Sequence, residues 1–253
     1  MSILTIKNCT KRFGGLVAVK DLNMTLNHGD LYGLIGPNGA GKTTVFNLMT
    51  GVYTPDEGFI EVDGTRIHRQ KPSAIARLGV SRTFQNIRLF QSMTVLENVK
   101  LARHMRKKQG LLDAIARTHH LKEEEKEVER DSMELLKIFN LDARAHELAT
   151  NLPYGSQRRL EIARALATQP KVLLLDEPAA GMNPQESREL MHLIQWSRDK
   201  FAITILLVEH NMQVVMGVCE KIQVIDYGET IALGTPKEIQ DDPKVIEAYL
   251  GGA

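Results

Sequence analysis

Hydrophobic and polar residues alternate near the start of this 253-residue chain, which predicts β-strands separated by turns. Leu4 and Ile6 belong to this two-residue period, whereas residues 31–35 form an uninterrupted apolar run typical of a strand buried on both faces. Good helix formers from residue 43 to the glycine at 51 predict a helix. Residues 52–85 are expected to return to short strands and turns.

The pattern changes in the middle of the chain. Residues 92–149 have few strand signals and many helix formers. Their charge-dense run at 121–130 is typical of a solvated helix face with opposite charges four residues apart. These features predict a helical subdomain, which we assign to residues 86–157.

Apolar runs return in the last third, at residues 172–175 and 202–208, on either side of an amphipathic helix predicted over 184–199. Strands that alternate with helices predict an α/β fold with a mainly parallel sheet. The early alternating strands add an antiparallel β subdomain. We expect the α/β core and its β subdomain to comprise residues 1–85 and 158–253, with the helical subdomain inserted between them.

The composition narrows the function. The 32 basic and 31 acidic residues nearly cancel and aromatic residues make up only 5%, so we expect no nucleic-acid partner. Cys9 and Cys219 lack metal-ligand spacing, which is typical of small apolar residues in a reducing compartment. No apolar run reaches the ~18–20 residues of a membrane span, and the N-terminus does not resemble a signal peptide. The expected location is the cytosol, where the protein could still dock on integral membrane partners.

The strongest chemical signal is a glycine-rich loop between the apolar run 31–35 and the predicted helix. It matches the phosphate-loop pattern GxxxxGK[ST], in which glycines let the backbone wrap a triphosphate while N–H groups and the helix dipole attract its charge. Lys42 is expected to neutralise the β- and γ-phosphates, Thr43 to bind Mg²⁺, and Thr44 to support the α-phosphate. The predicted ATP-binding residues of the loop are Gly36, Pro37, Asn38, Gly39, Ala40, Gly41, Lys42, Thr43 and Thr44.

Two carboxylates follow the apolar run 172–175, where open α/β sheets bind ligands. Asp176 is expected to hold Mg²⁺ directly or through water. Glu177 is expected to polarise the attacking water as general base. The alternative is a pair of solvated loop carboxylates. The phosphate loop, and Pro178 at the end of the strand, favour the catalytic interpretation.

Two further side chains complete the predicted catalytic set of Lys42, Gln85, Glu177 and His210. His210 follows a buried strand, where a lone histidine is more often structural. A parallel strand of the same sheet would nevertheless bring it to the Asp176 end, within reach of the γ-phosphate. Gln85 carries a neutral amide able to reach Mg²⁺ and the attacking water. The predicted magnesium ligands are Thr43, Gln85 and Asp176.

The order of these motifs resembles that of ATP-binding cassette (ABC) transporter ATPases, and the resemblance covers essentially the whole chain. It implies a P-loop NTPase with a RecA-like core. A signature segment, defined here as residues 152–166, adds the remaining motif. The resemblance is carried by residues 36–43, Gln85, the signature segment LPYGSQRRLEIARAL, Asp176-Glu177 and His210.

This resemblance implies a head-to-tail dimer, with each ATP between one subunit's phosphate loop and the other subunit's signature segment. Phe13 matches the aromatic residue that stacks on adenine, and its alternative is a core side chain. The chain departs from the usual pattern at Pro153, where serine is common, at Ser156, where glutamine is common, and at Asn183, where aspartate is common. The contact across the dimer is therefore expected from a helix N-terminus near Gln157 and from Pro153, Tyr154, Gly155, Ser156 and Gln157.

The residues around Phe13 and Gln85, the Pro-Tyr-Gly signature and the tail at 242–251 are similar to the LivG-type subunits of branched-chain amino-acid importers. This likeness implies ATP hydrolysis coupled to import at the cytoplasmic face of the plasma membrane. Its implied partners are integral permease subunits, a second cassette in a homo- or heterodimer and, indirectly, a periplasmic or extracellular binding protein. Alternatives are a cassette for urea, amides or lipopolysaccharide export, and a soluble ABC ATPase such as a cofactor-assembly factor.

Overall fold

The computed structural model describes residues 1–104 and 120–250. These form two compact units, one built from residues 1–82 and from residue 171 onward, the other from 83–170. The helical unit therefore extends to residue 170, and the expected boundary at 157/158 falls inside a continuous helix. The predicted helical subdomain also includes residues 105–119, which lie outside the described residues.

Strands dominate the first unit and form two sheets within it. The strands are β1 (Ser2–Phe13), β2 (Leu16–Asn27), β3 (Leu31–Ile35), β4 (Glu57–Val62), β5 (Thr65–Arg66), β6 (Val80–Arg82), β7 (Val172–Asp176), β8 (Thr204–Val208), β9 (Lys221–Asp226) and β10 (Glu229–Gly234).

Helices occur in both units. They are α1 (Lys42–Met49), α2 (Pro72–Leu78), α3 (Val95–His104), α4 (His120–Ile138), α5 (Tyr154–Ala167), α6 (Pro184–Phe201), α7 (Met212–Val218), α8 (Pro236–Gln240) and α9 (Pro243–Leu250). Helices α3, α4 and α5 belong to the second unit, with 3₁₀ turns at Asp142–Arg144 and Ala149–Asn151.

The smaller sheet has the order β2-β1-β4-β5 and is antiparallel. The larger sheet has the order β10-β9-β3-β8-β7-β6, and all its described neighbours are parallel except β10 with β9. Every residue of β3, β7 and β8 is buried, as expected for parallel strands covered on both faces. The expected combination of a mainly parallel sheet and an antiparallel β subdomain is thus present.

Local signals explain where several helices begin and end. Helix α6 begins after Asn183, whose side chain accepts hydrogen bonds from the N–H groups of Gln185 and Glu186 in a capping box. Helix α2 lies in a region expected to contain only strands and turns. It begins at Pro72 and ends at Leu78, and it is followed by the C-cap Gly79, whose φ of +105° suits a helix C-terminus. In the described part of the chain, each helix is too short or too polar to cross a membrane.

Candidate nucleotide-binding site

The register of the larger sheet brings the carboxyl ends of four parallel strands together. Leu34 of β3 lies beside Val208 of β8, and Val208 lies beside Asp176 of β7. Arg82 of β6 lies beside Leu174, one strand further on. The loop after β3 and the polar residues that follow β7 and β8 therefore meet at one end of the sheet, as the sequence predicts.

The phosphate loop needs glycine at its two closest approaches to neighbouring backbone. A Cβ atom on Gly36 would lie 2.0 Å from the carbonyl oxygen of Ile225, and one on Gly41 would lie 2.5 Å from that of Ala18. Gly41 also has a φ of +104°, which residues with a side chain rarely adopt. The Gly228 N–H donates to the Ala40 carbonyl at 3.0 Å and fixes the loop from behind.

Lys42 begins helix α1 with its ammonium beneath the loop. Nζ donates to the carbonyl oxygens of Gly36 at 2.7 Å and Pro37 at 2.8 Å, and the residue is 7% exposed. Burial lowers the pKa of Lys42, while the charges of Glu177 and Asp176 partly offset that effect. A buried cation at the start of a helix suits a bound polyphosphate.

The groups that could bind a cation beside such a phosphate are hard oxygen donors. Thr43 is exposed and Thr44 half-buried at the start of α1, and Asp176 is buried at the end of β7. Among residues 1–104 and 120–250, no cluster of three His, Cys, Asp or Glu side chains could hold a metal alone. That fits Mg²⁺, which is commonly bound through one or two protein oxygens, substrate phosphates and water.

Glu177 and His210 are in direct contact. His210 Nε2 is hydrogen-bonded to the Glu177 carboxylate, which is 12% exposed, whereas the imidazole is 43% exposed. The Glu177 N–H donates to the Val208 carbonyl at 2.8 Å, which ties the turn after β7 to β8. The structure therefore brings together the two residues that the sequence predicts at this sheet end.

Glu209 is an additional buried acid at the same place. Its carboxylate accepts hydrogen bonds from the N–H groups of Ala179 at 2.8 Å and His210 at 3.2 Å. Burial raises its pKa, and the three backbone hydrogen bonds it accepts partly offset that effect, while the nearby charge of Glu177 adds to it. No local sequence pattern distinguishes Glu209, although it stands directly before His210.

Phe13 ends β1 and is 41% exposed, so the alternative of a core side chain does not hold. Its ring makes an edge-to-face contact with Tyr53, with centroids 5.0 Å apart, and the Lys11 ammonium lies 5.4 Å from its centroid. A partly exposed aromatic ring fixed in this way could stack on a base. Stacking of Phe13 on adenine stays a prediction.

In the second unit, the segment around Gln85 is anchored by a buried ion pair of α5. Arg158 is fully buried and donates to the carbonyl oxygens of Phe84 and Gln85, each at 2.7 Å. Glu161 binds Arg158 at 2.9 Å and accepts a hydrogen bond from the N–H of Arg88 at 3.2 Å. The backbone that carries Gln85 is thus fixed to the helix that carries the signature segment. Its role toward Mg²⁺ stays a prediction.

Helix α5 begins at Tyr154, three residues before the expected start near Gln157, with Pro153 as its N-cap. Gly155 and Ser156 therefore lie in the first turn, where helical N–H groups lack intrahelical partners. The side chain of Gln157 turns back toward the preceding segment, where its Nε2 donates to the Leu152 carbonyl at 2.9 Å. Tyr154 is 46% exposed. The contact of these residues with a second subunit's ATP stays a prediction.

Cys9 and Cys219 behave as small apolar residues, as the sequence predicts. Both are buried free thiols. Burial raises the pKa of Cys9 to about 11 and that of Cys219 to about 12, so neither is a reactive thiolate at neutral pH.

The glycine loop, the lysine beneath it and the strand-end carboxylates define a phosphate-loop nucleotide-binding protein with the P-loop NTPase fold. Comparison with known proteins narrows that class. Residues 19–180 match a family model described as "ABC transporter", and residues 229–253 match one described as "Branched-chain amino acid ATP-binding cassette transporter". The chain therefore belongs to the ABC transporter ATP-binding family.

Individual relatives agree with this assignment. The chain is 46% identical over 251 residues to the high-affinity branched-chain amino acid transport ATP-binding protein LivG of Escherichia coli K12, covering 99% of this chain and 98% of that protein. It is equally similar, with the same coverage, to the corresponding protein BraF of Pseudomonas aeruginosa. The crystal structure of the ADP conformation of MJ1267, an ATP-binding cassette of an ABC transporter, matches with a TM-score of 0.85, 32% identity and 99% coverage of both chains.

Proposed function

We propose that the protein hydrolyses ATP to drive import of branched-chain amino acids, as the cytoplasmic ATPase subunit of an ABC importer. The proposal of ATP hydrolysis rests on the contact between Glu177 and His210, close to Lys42. The proposal of branched-chain amino acids as substrates rests on the match of residues 229–253 to the branched-chain family and on the similarity to LivG and BraF.

In this proposal the phosphate loop binds the triphosphate and Lys42 neutralises its β- and γ-oxygens. Thr43 and Asp176 hold Mg²⁺, which when bound neutralises phosphate charge. Glu177 accepts the proton of the attacking water. His210 orients the Glu177 carboxylate through their hydrogen bond and would contact the γ-phosphate.

A second cassette is also part of the proposal. The first turn of α5 offers backbone N–H donors that would contact an ATP held by the other subunit. ATP would favour the closed dimer, and loss of the γ-phosphate would favour reopening. Integral permease subunits would convert this change into transport, with a binding protein outside the membrane delivering the amino acid. The protein then lies at the cytoplasmic membrane face only while bound to its permease.

The test is transport by the native complex in proteoliposomes loaded with Mg-ATP. We expect uptake of labelled leucine, isoleucine and valine, and loss of at least ~99% of uptake in Lys42→Ala, because the bound phosphates lose their buried cation. Lys7→Ala, at an exposed position of β1, is the matched control. Hydrolysis without uptake of these amino acids would refute the substrate class alone. Normal hydrolysis in Lys42→Ala would refute the site.

A further inference from the structure

The Arg82 guanidinium lies against the carboxylate that we expect to hold Mg²⁺. Arg82 Nη2 donates to Asp176 Oδ2 at 2.8 Å, and both side chains are 7% exposed. The pair joins the ends of the neighbouring strands β6 and β7. Because water screens a buried pair weakly, the two charges interact more strongly than a surface pair does.

A second contact fixes the other side of the guanidinium to α1. Arg82 Nη1 donates to Asn47 Oδ1 at 2.7 Å, and the guanidinium lies 5.2 Å from the centroid of the Phe46 ring. Asn47 follows Thr43 by four residues, so both occupy one face of α1. Arg82 therefore bridges the helix face that carries Thr43 and the carboxylate of Asp176, the two protein groups expected to bind Mg²⁺.

We propose that Arg82 is an internal counter-ion that competes with Mg²⁺ for Asp176. The inference rests on the proposed function, because it takes Asp176 as the metal ligand. Mg²⁺ at Asp176 would draw on the same negative charge that Arg82 neutralises, so metal binding should weaken the pair of Arg82 with Asp176. Without the metal, Arg82 keeps the buried carboxylate paired and reduces its repulsion of the triphosphate. Arg82 is thus a positioning residue that limits how strongly Mg²⁺ and ATP reinforce each other's binding.

The test measures the affinity of a fluorescent ATP analogue at pH 8, once in EDTA and once in millimolar Mg²⁺. The informative quantity is the Kd in EDTA divided by the Kd in Mg²⁺. In Arg82→Gln, Asp176 loses the neutralising charge of Arg82, which weakens nucleotide binding in EDTA, while binding in Mg²⁺ suffers less because the metal neutralises the carboxylate instead. We expect the ratio to be larger than in the wild type by about tenfold, equivalent to about 1.4 kcal/mol. A ratio that is unchanged or smaller would overturn the inference.

Two further variants make the result specific. Arg66→Gln removes an arginine that pairs with Glu61 at 3.1 Å on the exposed strand β5, and it should leave the ratio unchanged. Arg82→Lys keeps a positive charge without the planar fork, and its ratio should lie between those of wild type and Arg82→Gln. If Arg82→Gln does not fold, the lysine variant decides by the same criterion.

The outcome also separates this inference from the function on which it rests. If the wild type binds nucleotide more tightly in Mg²⁺ and the variants do not change the ratio, only the role of Arg82 fails. If the wild type binds no nucleotide under either condition, the proposed function fails and the role of Arg82 falls with it.

Discussion

Glu177 has a backbone φ of +47°, a conformation that residues other than glycine rarely adopt. The hydrogen bond from its N–H to Val208 holds it there. Such conformations cluster at functional sites because the surrounding structure stabilises them where a side chain has to point in one direction. Here that direction is toward His210, which supports the assignment of Glu177 as the general base.

Glu209 links the turn that follows Glu177 to the backbone of His210 through the hydrogen bonds that its carboxylate accepts. In Glu209→Gln, one of the two carboxylate oxygens that accept from Ala179 and His210 becomes an NH₂ group that cannot accept. We expect kcat for ATP hydrolysis to fall about tenfold, equivalent to about 1.4 kcal/mol, with KM for ATP within about twofold. Steady-state kinetics test this, and a change in KM alone would refute a role in positioning Glu177 and His210.

The same variant has a pH-dependent effect on stability whose sign follows from burial. Folding raises the pKa of Glu209, so its contribution to stability is greatest below the ordinary glutamate pKa of about 4.3 and is lost as pH rises through the folded pKa. A neutral glutamine has no such loss. The Tm of Glu209→Gln minus that of the wild type should therefore rise from pH 4.5 to pH 8, as measured by differential scanning calorimetry.

The site residues that could be predicted from the sequence are those whose chemistry follows a local pattern. The loop lysine, the carboxylates at the end of β7 and His210 all stand near strand ends that an apolar run predicts. Arg82 and Glu209 were missed because their roles depend on which buried charges and N–H groups meet across neighbouring strands. That depends on sheet register, which a single sequence does not display.

At the scale of elements, α5 joins two motifs that are far apart in sequence. Its buried pair of Arg158 and Glu161 holds the backbone around Gln85, while its first turn carries Gly155 and Ser156. Both motifs therefore depend on the placement of one helix. This link within the second unit was not predicted, because Arg158 and Glu161 look like ordinary residues of an amphipathic helix.

Truncation of Arg158 tests the structural importance of this link. Arg158→Ala leaves Glu161 buried without its cation, which should cost about 3–5 kcal/mol in the free energy of unfolding. Arg130→Ala, at an exposed arginine of α4, should change it by less than about 0.5 kcal/mol. Chemical denaturation measures both. A loss below about 1 kcal/mol in Arg158→Ala would mean that the pair does not stabilise this unit.

Elements were predicted well where periodicity was long or apolar runs were continuous, as in β3, β7, β8 and α6. Helix α2 was missed because it spans only 7 residues, which is too short for a helical period to stand out. Its start and stop signals, Pro72 and Gly79, were present in the sequence. Helix α5 begins at Tyr154 rather than near Gln157, with Pro153 as its N-cap.

At the scale of the whole molecule, the nucleotide site is proposed to be half of a larger one. The first unit supplies the phosphate loop, Asp176, Glu177 and His210, whereas the signature segment belongs to the second unit. The fold could be predicted from the sequence because the motif order is specific to one family. The partner surface could not be predicted, because Pro153 and Ser156 depart from the usual pattern and the proposed contact involves another chain.

Glu177→Gln tests the central claim most directly, because it changes the proposed base while leaving the phosphate loop intact. Single-turnover measurements with labelled ATP, combined with sedimentation, report binding, dimerisation and cleavage in one sample. We predict that the variant binds Mg-ATP, forms an ATP-dependent dimer with its partner cassette and cleaves ATP at least about 100-fold more slowly than the wild type. Glu57→Gln, at an exposed position of β4, should cleave at the wild-type rate. Retention of most of the hydrolysis by Glu177→Gln would contradict the account.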